Sequence, residues 1–140
     1  MKISARNVFA GEVKSVTKGA VNCEVLIVLQ GGETVTSIIT NNSADSLELA
    51  QGKKAFAIVK ASDVMIGKGL EKAKLSARNI LSGKVVHVTL GAVNSEVVVS
   101  LPGGTEVVAS ITKASVEALG LKVGDEVSAV IKASNVLIGI

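Results

Sequence analysis

The sequence contains no Trp and no Tyr, and only two Phe, one His, one Cys and one Pro among its 140 residues. Each scarcity excludes something. One His (His87) and one Cys (Cys23) cannot build a His/Cys zinc site within one chain, and they leave no Ser-His-Asp or Cys-His-Asn machinery. With so few aromatics there is no platform on which bases or sugars could stack. A single Cys excludes an internal disulfide and fits a reducing compartment. The start, Met1 to Asn7, lacks the apolar core of a signal peptide. No stretch of about 18 uncharged apolar residues occurs, so no transmembrane helix is expected.

What is present is aliphatic. Hydrophobic residues make up 48% of the chain, so the core must be built from Val, Ile, Leu and Ala. The 14 Gly imply many tight turns, and turns with β-branched residues favour short strands over long helices. The length allows one or two small domains. Fifteen Lys and Arg against 12 Asp and Glu leave a formal charge of +3, a mild excess that suits a small anion as well as nucleic acid.

An internal duplication organises the chain. Ser4-Ala5-Arg6-Asn7 recurs as Ser76-Ala77-Arg78-Asn79, Gly19-Ala20-Val21-Asn22 as Gly91-Ala92-Val93-Asn94, and Lys60-Ala61-Ser62 as Lys132-Ala133-Ser134, always 72 residues later. Aligned without a gap, 3–67 and 75–139 are identical at 31 of 65 positions. The chain thus reads as a first unit over 1–67, a polar linker over 68–74 and a second unit over 75–140. Residues that differ between copies, such as His87 (Ser15), Cys23 (Ser95), Phe9 (Leu81) and Phe56 (Ser128), are poor candidates for a shared function.

Each copy predicts five short strands and one helix. In the first copy the strands fall near Ala5–Thr17, Cys23–Leu29, Thr34–Ile39, Ala55–Lys60 and Asp63–Ile66. Gly11 in the long first strand is expected to mark a bulge or sharp coil, and Gly31-Gly32 a hairpin turn. The helix is expected near Asn41–Leu47. Its counterpart, Lys113–Leu119, ends at Gly120, a good residue just past a helix C-terminus. The fold class is therefore all-β with one short helix per repeat: two tandem OB-like Greek-key barrels. Domains this small are marginal alone, which fusion and oligomerisation would relieve.

The polar residues kept in both copies are mostly hydroxyl, amide and cationic donors, and their only acid is Glu24/Glu96. That set suits a small oxyanion better than a metal cation, which needs several carboxylates or imidazoles. Thr40 and Thr112 can cap their helices with Ser43 and Ser115 at the third helical position, where free N–H groups favour an anion. Lys60 and Arg6 could supply charge-assisted hydrogen bonds. Singly, each has a plainer reading: Thr40 as a cap, Lys60 as a solvated strand end, Arg6 paired with Glu24 or another acid, Asn7 and Asn22 as turn formers. No acid and base pair survives in both copies, so no enzyme is expected.

Together, Ser-Ala-Arg-Asn, Gly-Ala-Val-Asn-x-Glu-Val, Ile-Thr-x-x-Ser before a Leu-bearing helix, and Lys-Ala-Ser before the last strand resemble the Mop domain of the molybdenum-pterin-binding proteins, or molbindins; the tandem form resembles the di-Mop members. The resemblance covers nearly the whole chain. It implies cytoplasmic molybdate or tungstate binding for molybdenum storage and homeostasis, with no further cofactor and no direct metal-cation ligand, at interfaces between Mop domains of a homotrimer. Carried over by position, the oxyanion sites would use Ser4, Arg6, Thr40, Ser43, Lys60 and Ala61, and Ser76, Arg78, Thr112, Ser115, Lys132 and Ala133. Additional oxyanion or interface contacts would come from Gly19, Ala20, Val21 and Asn22, from Gly91, Ala92, Val93 and Asn94, and from Ser62 and Ser134, which stand where fused members of the family often carry Pro. Neither nucleic acid nor a membrane is an expected partner. The alternative reading is a nucleic-acid-binding OB module, which the missing aromatics disfavour.

Overall fold

The computed structural model describes residues 1–140. The first repeat forms β1 (Asn7–Lys18), β2 (Asn22–Leu29), β3 (Thr34–Thr40), α1 (Asn41–Ser46), β4 (Lys54–Val59), a 3-10 turn (Ala61–Asp63) and β5 (Val64–Gly67). The second forms β6 (Asn79–Thr89), β7 (Asn94–Ser100), β8 (Glu106–Thr112), α2 (Lys113–Leu119), β9 (Glu126–Ile131), a 3-10 turn (Ala133–Asn135) and β10 (Leu137–Gly139). In β2 buried residues alternate with half-buried ones, so that Cys23, Val25, Ile27 and Leu29 face the core. That period of two is what the aliphatic pattern requires of a sheet with one wet face.

The sheets do not coincide with the sequence repeats. Their strand orders are β10-β4-β1-β2-β3 and β5-β9-β6-β7-β8, so each repeat donates its last strand to the other. β10 pairs with β4 through Leu137↔Ile58, and β5 pairs with β9 through Met65↔Val130. The two exchanges are made in equivalent register, since Met65 and Leu137, and Ile58 and Val130, stand 72 positions apart. Val64 and Val136, which open the exchanged segments, are both only 1% exposed. A single cluster of 25 buried side chains runs through both repeats, so two barrels too small to be robust alone share one core.

Two reciprocal clamps tie the halves. The Asn7 side chain donates to the Val108 carbonyl at 2.8 Å and accepts from the Val108 N–H at 2.7 Å. Asn79 does the same with Thr36, at 2.8 Å for each bond. Each amide pairs with the free edge of β8 or β3 as a short piece of strand would. Asn7 and Asn79 are 1% and 2% exposed, so Asn7 is an inter-repeat clamp rather than a turn former. At the hairpin tips, Glu33 accepts from the Gly103 N–H at 3.1 Å, and a Cβ on Gly31 would lie 3.1 Å from the Gly103 carbonyl oxygen.

The bulge in β1 falls between Val13 and Ser15, and in β6 between Val85 and His87, rather than at Gly11 and Gly83. Gly11 has a different task. A Cβ there would lie 2.5 Å from the Val28 carbonyl oxygen and 2.7 Å from Ile27 Cγ2. The glycine lets β2 cross close to β1 as the sheet coils.

Candidate functional site

Because β1 pairs with β4 through Asn7↔Val59, the segment before β1 and the segment after β4 emerge side by side. This brings Ser4 and Arg6 next to Lys60, Ala61 and Ser62. The exchanged β10 adds Leu137, and the Asn7 clamp draws β8 and β7 alongside. The result is a cleft of about 500 Å³ whose polar lining is Ser4, Arg6, Lys60 and Ser62 from one repeat and Glu96 and Ser110 from the other. Ala61 sits in its wall, at the first position of a 3-10 turn, where an N–H has no acceptor inside the turn.

Arg6 donates from Nη1 to Glu96 Oε2 at 2.7 Å and from Nη2 to Glu96 Oε1 at 3.0 Å. These hydrogen bonds, and then the carboxylate charge, raise the guanidinium pKa above its ordinary value. In the second repeat Arg78 Nη2 lies 2.8 Å from Glu24 Oε1. The arginine and the acid retained in both copies therefore pair with each other across the repeats. Lys60 takes part in none of the chain's five ion pairs. Two cations against one carboxylate leave the cleft positive, with the Lys60 ammonium free. Ser4, Arg6, Lys60 and Ser62 are all exposed, so the cleft opens to solvent on one side.

Thr40 and Ser43 lie in a separate corner. Thr40 Oγ1 caps α1, accepting from the Ser43 N–H at 3.1 Å and donating to Ser43 Oγ at 2.8 Å. The Ser43 hydroxyl proton is the donor left over. The turn Gly19-Ala20-Val21-Asn22 packs here: the Asn41 N–H donates to the Val21 carbonyl at 2.8 Å and Asn41 Nδ2 to the Gly19 carbonyl at 2.9 Å. Thr112 and Ser115 repeat the cap at the same distances, and the Lys113 N–H donates to the Val93 carbonyl at 2.8 Å above the turn Gly91-Ala92-Val93-Asn94.

Within one chain, each cap corner lies nearer the other repeat's cleft residues. Thr112 lies two residues beyond Ser110 on the same face of β8, roughly 7 Å along the strand. The Thr112/Ser115 corner thus adjoins the cleft of Ser4, Arg6 and Lys60, while Thr40 follows Ile38, which is cross-strand from Glu24, the partner of Arg78. Ser76, Arg78, Lys132 and Ser134 are exposed and Ala133 is buried, at positions equivalent to the first set. Ser110 carried no sequence signal, because its counterpart is Ile38. Glu96 was visible as a retained acid, but its partner across the repeats was not.

Other chemistry is sparse. There is no cluster of three or more His, Cys, Asp or Glu side chains that could hold a metal ion. Cys23 is buried and its thiol pKa is pushed up, first by desolvation, which leaves an unreactive thiol. No helix is long and apolar enough to cross a membrane.

Fold and site together define a tandem, strand-exchanged β-barrel module whose inter-repeat cleft offers hydroxyl, amide and ammonium donors. The chain belongs to the TOBE domain family, whose model matches residues 3–66 and 75–138. It is 44% identical over 140 residues to a protein named molybdenum transport protein ModE of Azotobacter vinelandii, covering 100% of this chain and 52% of that protein. It is 41% identical over 138 residues to the molybdenum-pterin-binding protein MopA of Rhodobacter capsulatus, covering 99% and 52%. The chain thus spans about half the length of these curated relatives. A crystal structure described as the cytoplasmic molybdate-binding protein ModG, with molybdate bound, is 52% identical and superposes with a TM-score of 0.97 over 100% of this chain and 99% of that one.

Proposed function

We propose that the chain binds molybdate, and tungstate nearly as well, as part of cytoplasmic molybdenum storage and homeostasis, in a binding rather than a catalytic role. The observation that carries this reading is the unpaired Lys60 ammonium beside Ser4 and Ala61 in a cleft shared by both repeats. Binding is reversible and non-covalent. A tetrahedral dianion leaving water loses hydrogen bonds that the site must replace. Lys60 supplies a charge-assisted bond, Ser4 a hydroxyl, and Ala61 its N–H. Arg6, already half-neutralised by Glu96, orients toward the same space. Thr112 and Ser115 border the cleft and can extend its donor set. Selection over sulfate follows from size, since donors fixed on strand ends fit the longer metal–oxygen bond. Molybdate and tungstate are close in size, so the cage discriminates poorly between them.

The exposure of these donors in one chain supports completion of the sites by neighbouring copies, as a homotrimer. Such an assembly would sit at three times the 14.2 kDa chain mass in light scattering. A ligand held between copies then stabilises the assembly by mass action. No observation favours nucleic acid. The repeats carry equal numbers of cationic and acidic residues, six of each in 3–67 and five of each in 75–139, and Phe9 is buried.

Calorimetry with molybdate, tungstate and sulfate tests the reading. Saturable binding of the first two and none of sulfate at micromolar concentration is expected; no heat from molybdate refutes it. The double variant Lys60→Ala, Lys132→Ala removes two exposed ammonium groups without touching the core. Loss of a hydrogen bond to a charged group lowers affinity by about tenfold or more. Unchanged affinity overturns the pocket assignment.

A further inference from the structure

We infer that the two oxyanion clefts are chemically unequal, and that Ser110 is the specificity-determining residue that separates them. This rests on the oxyanion-binding reading above. Nearly every polar group of the described cleft has an identical residue 72 positions away, at the equivalent place in the other half: Ser4 and Ser76, Arg6 and Arg78, Lys60 and Lys132, Ser62 and Ser134. The acids match too, with Arg6 to Glu96 at 2.7 Å and Arg78 to Glu24 at 2.8 Å. One polar lining position breaks the equivalence. Ser110 lines the first cleft, and the residue 72 positions earlier is Ile38.

Strand register fixes where these two residues stand. Ser110 is directly cross-strand from Glu96, and Ile38 is directly cross-strand from Glu24. Opposed residues share a face, with Cβ atoms about 5 Å apart. Position 110 or 38 therefore flanks the carboxylate that holds the arginine. In the first cleft this neighbour is a half-buried hydroxyl that can donate to an oxyanion or to its last water. In the second it is a branched hydrocarbon that can do neither, and it replaces a hydrogen-bonding surface with an apolar one. Lys60 and Lys132 draw a dianion to both clefts equally, so the difference lies in short-range donors rather than in charge.

The expected consequence is ordered loading. The cleft of Ser4, Arg6, Lys60 and Ser110 fills at the lower molybdate concentration, and the cleft of Ser76, Arg78, Lys132 and Ile38 fills at about tenfold higher concentration, the usual weight of one hydrogen bond to a charged group. Two unequal sites extend the range of free oxyanion over which one chain responds.

The test is calorimetric titration of the full chain with sodium molybdate, in the native protein and in the variants Ser110→Ile and Ile38→Ser. Native protein should show two affinity classes. Ser110→Ile should merge the tighter class into the weaker one, and Ile38→Ser should do the reverse. Both positions are half-buried on the outer strand face, and a circular dichroism melt checks that each variant is folded. Should Ser110→Ile fail to fold, Ile38→Ser decides alone. Absence of molybdate binding to the native protein overturns the oxyanion reading itself. Binding with a single class, or with two classes that neither substitution moves, overturns only the inequality of the clefts.

Discussion

Replacing Asn79 by alanine tests the inter-repeat clamp on which the second cleft depends. The side chain is 2% exposed and makes two hydrogen bonds of 2.8 Å, one to the Thr36 N–H and one to its carbonyl. Alanine fills none of that space and leaves both backbone groups of an edge strand without partners. A buried donor or acceptor stripped of its partner costs about 1–3 kcal/mol, so two cost about 2–6 kcal/mol. The truncation admits water to part of the gap, which places the expected loss near the lower half, at about 3 kcal/mol. Urea unfolding at fixed protein concentration reads this directly. With a slope of about 2 kcal/mol per molar urea, the midpoint should fall by about 1.5 M. Asn7→Ala should fall less, because its partner Val108 is only half-buried. A shift below about 0.3 M for Asn79→Ala refutes the view that these amides hold the repeats together.

The ends of the two helices give a second test. Gly120 ends α2 at φ 58°, while Glu48, at the equivalent position 72 residues earlier, is held at φ 51°. Side chains pay about 1–2 kcal/mol in that region, partly offset by the larger unfolded-state entropy of glycine. Glu48→Gly should therefore stabilise the chain by about 0.5–1 kcal/mol in chemical denaturation, and Gly120→Ala should destabilise it by about 1 kcal/mol. Equal effects of the same sign would contradict the backbone assignment. A third test concerns acid. Asp125 is held below the ordinary carboxylate pKa, first by its hydrogen bond to Lys68 and then by the Lys122 N–H. A depressed folded pKa contributes stability that is present above the unfolded pKa and lost as pH falls through the folded value. Asp125→Asn should accordingly flatten the acid side of the melting-temperature profile, below about pH 4, and an unchanged profile would remove the tie between linker and second repeat.

The strands, the helices and most of the cleft's donors were legible because they depend on local pattern. Short β-branched and aliphatic runs mark β2 and β7, Thr40-x-x-Ser43 marks a cap, and Gly120 marks a helix end. A fixed offset of 72 turns each into a double observation. The exchange of β5 and β10 was not legible, and the reason is symmetry itself. β4 and β9 accept a last strand in the same register, so no local pattern says which repeat the strand came from. The same symmetry concealed the pairing of Arg6 with Glu96, because Glu24 lies nearer in sequence and is chemically identical. Asn7 shows a different limit. An Asn before a strand ordinarily suggests a turn, and nothing local distinguishes that use from an amide buried against a strand 101 residues away.

Strand exchange also determines what the site can report. Ser4, Arg6 and Lys60 are presented by β1 and β4, but Glu96 and Ser110 reach the same cleft only when β7 and β8 are docked through Asn7, and Leu137 only when β10 has crossed over. A single repeat therefore contains Ser4, Arg6, Lys60 and Ser62 and still lacks the part of the wall formed by Glu96, Ser110 and Leu137. Formation of a cleft and association of the two repeats are one event. On the proposed reading, an oxyanion bound there would stabilise the inter-repeat contacts by RT ln(1 + [L]/Kd), and any loosening of those contacts would weaken binding by the same linkage. This is a physical reason for carrying both copies in one chain: the second repeat is the other wall of the first repeat's site, not a spare copy of it.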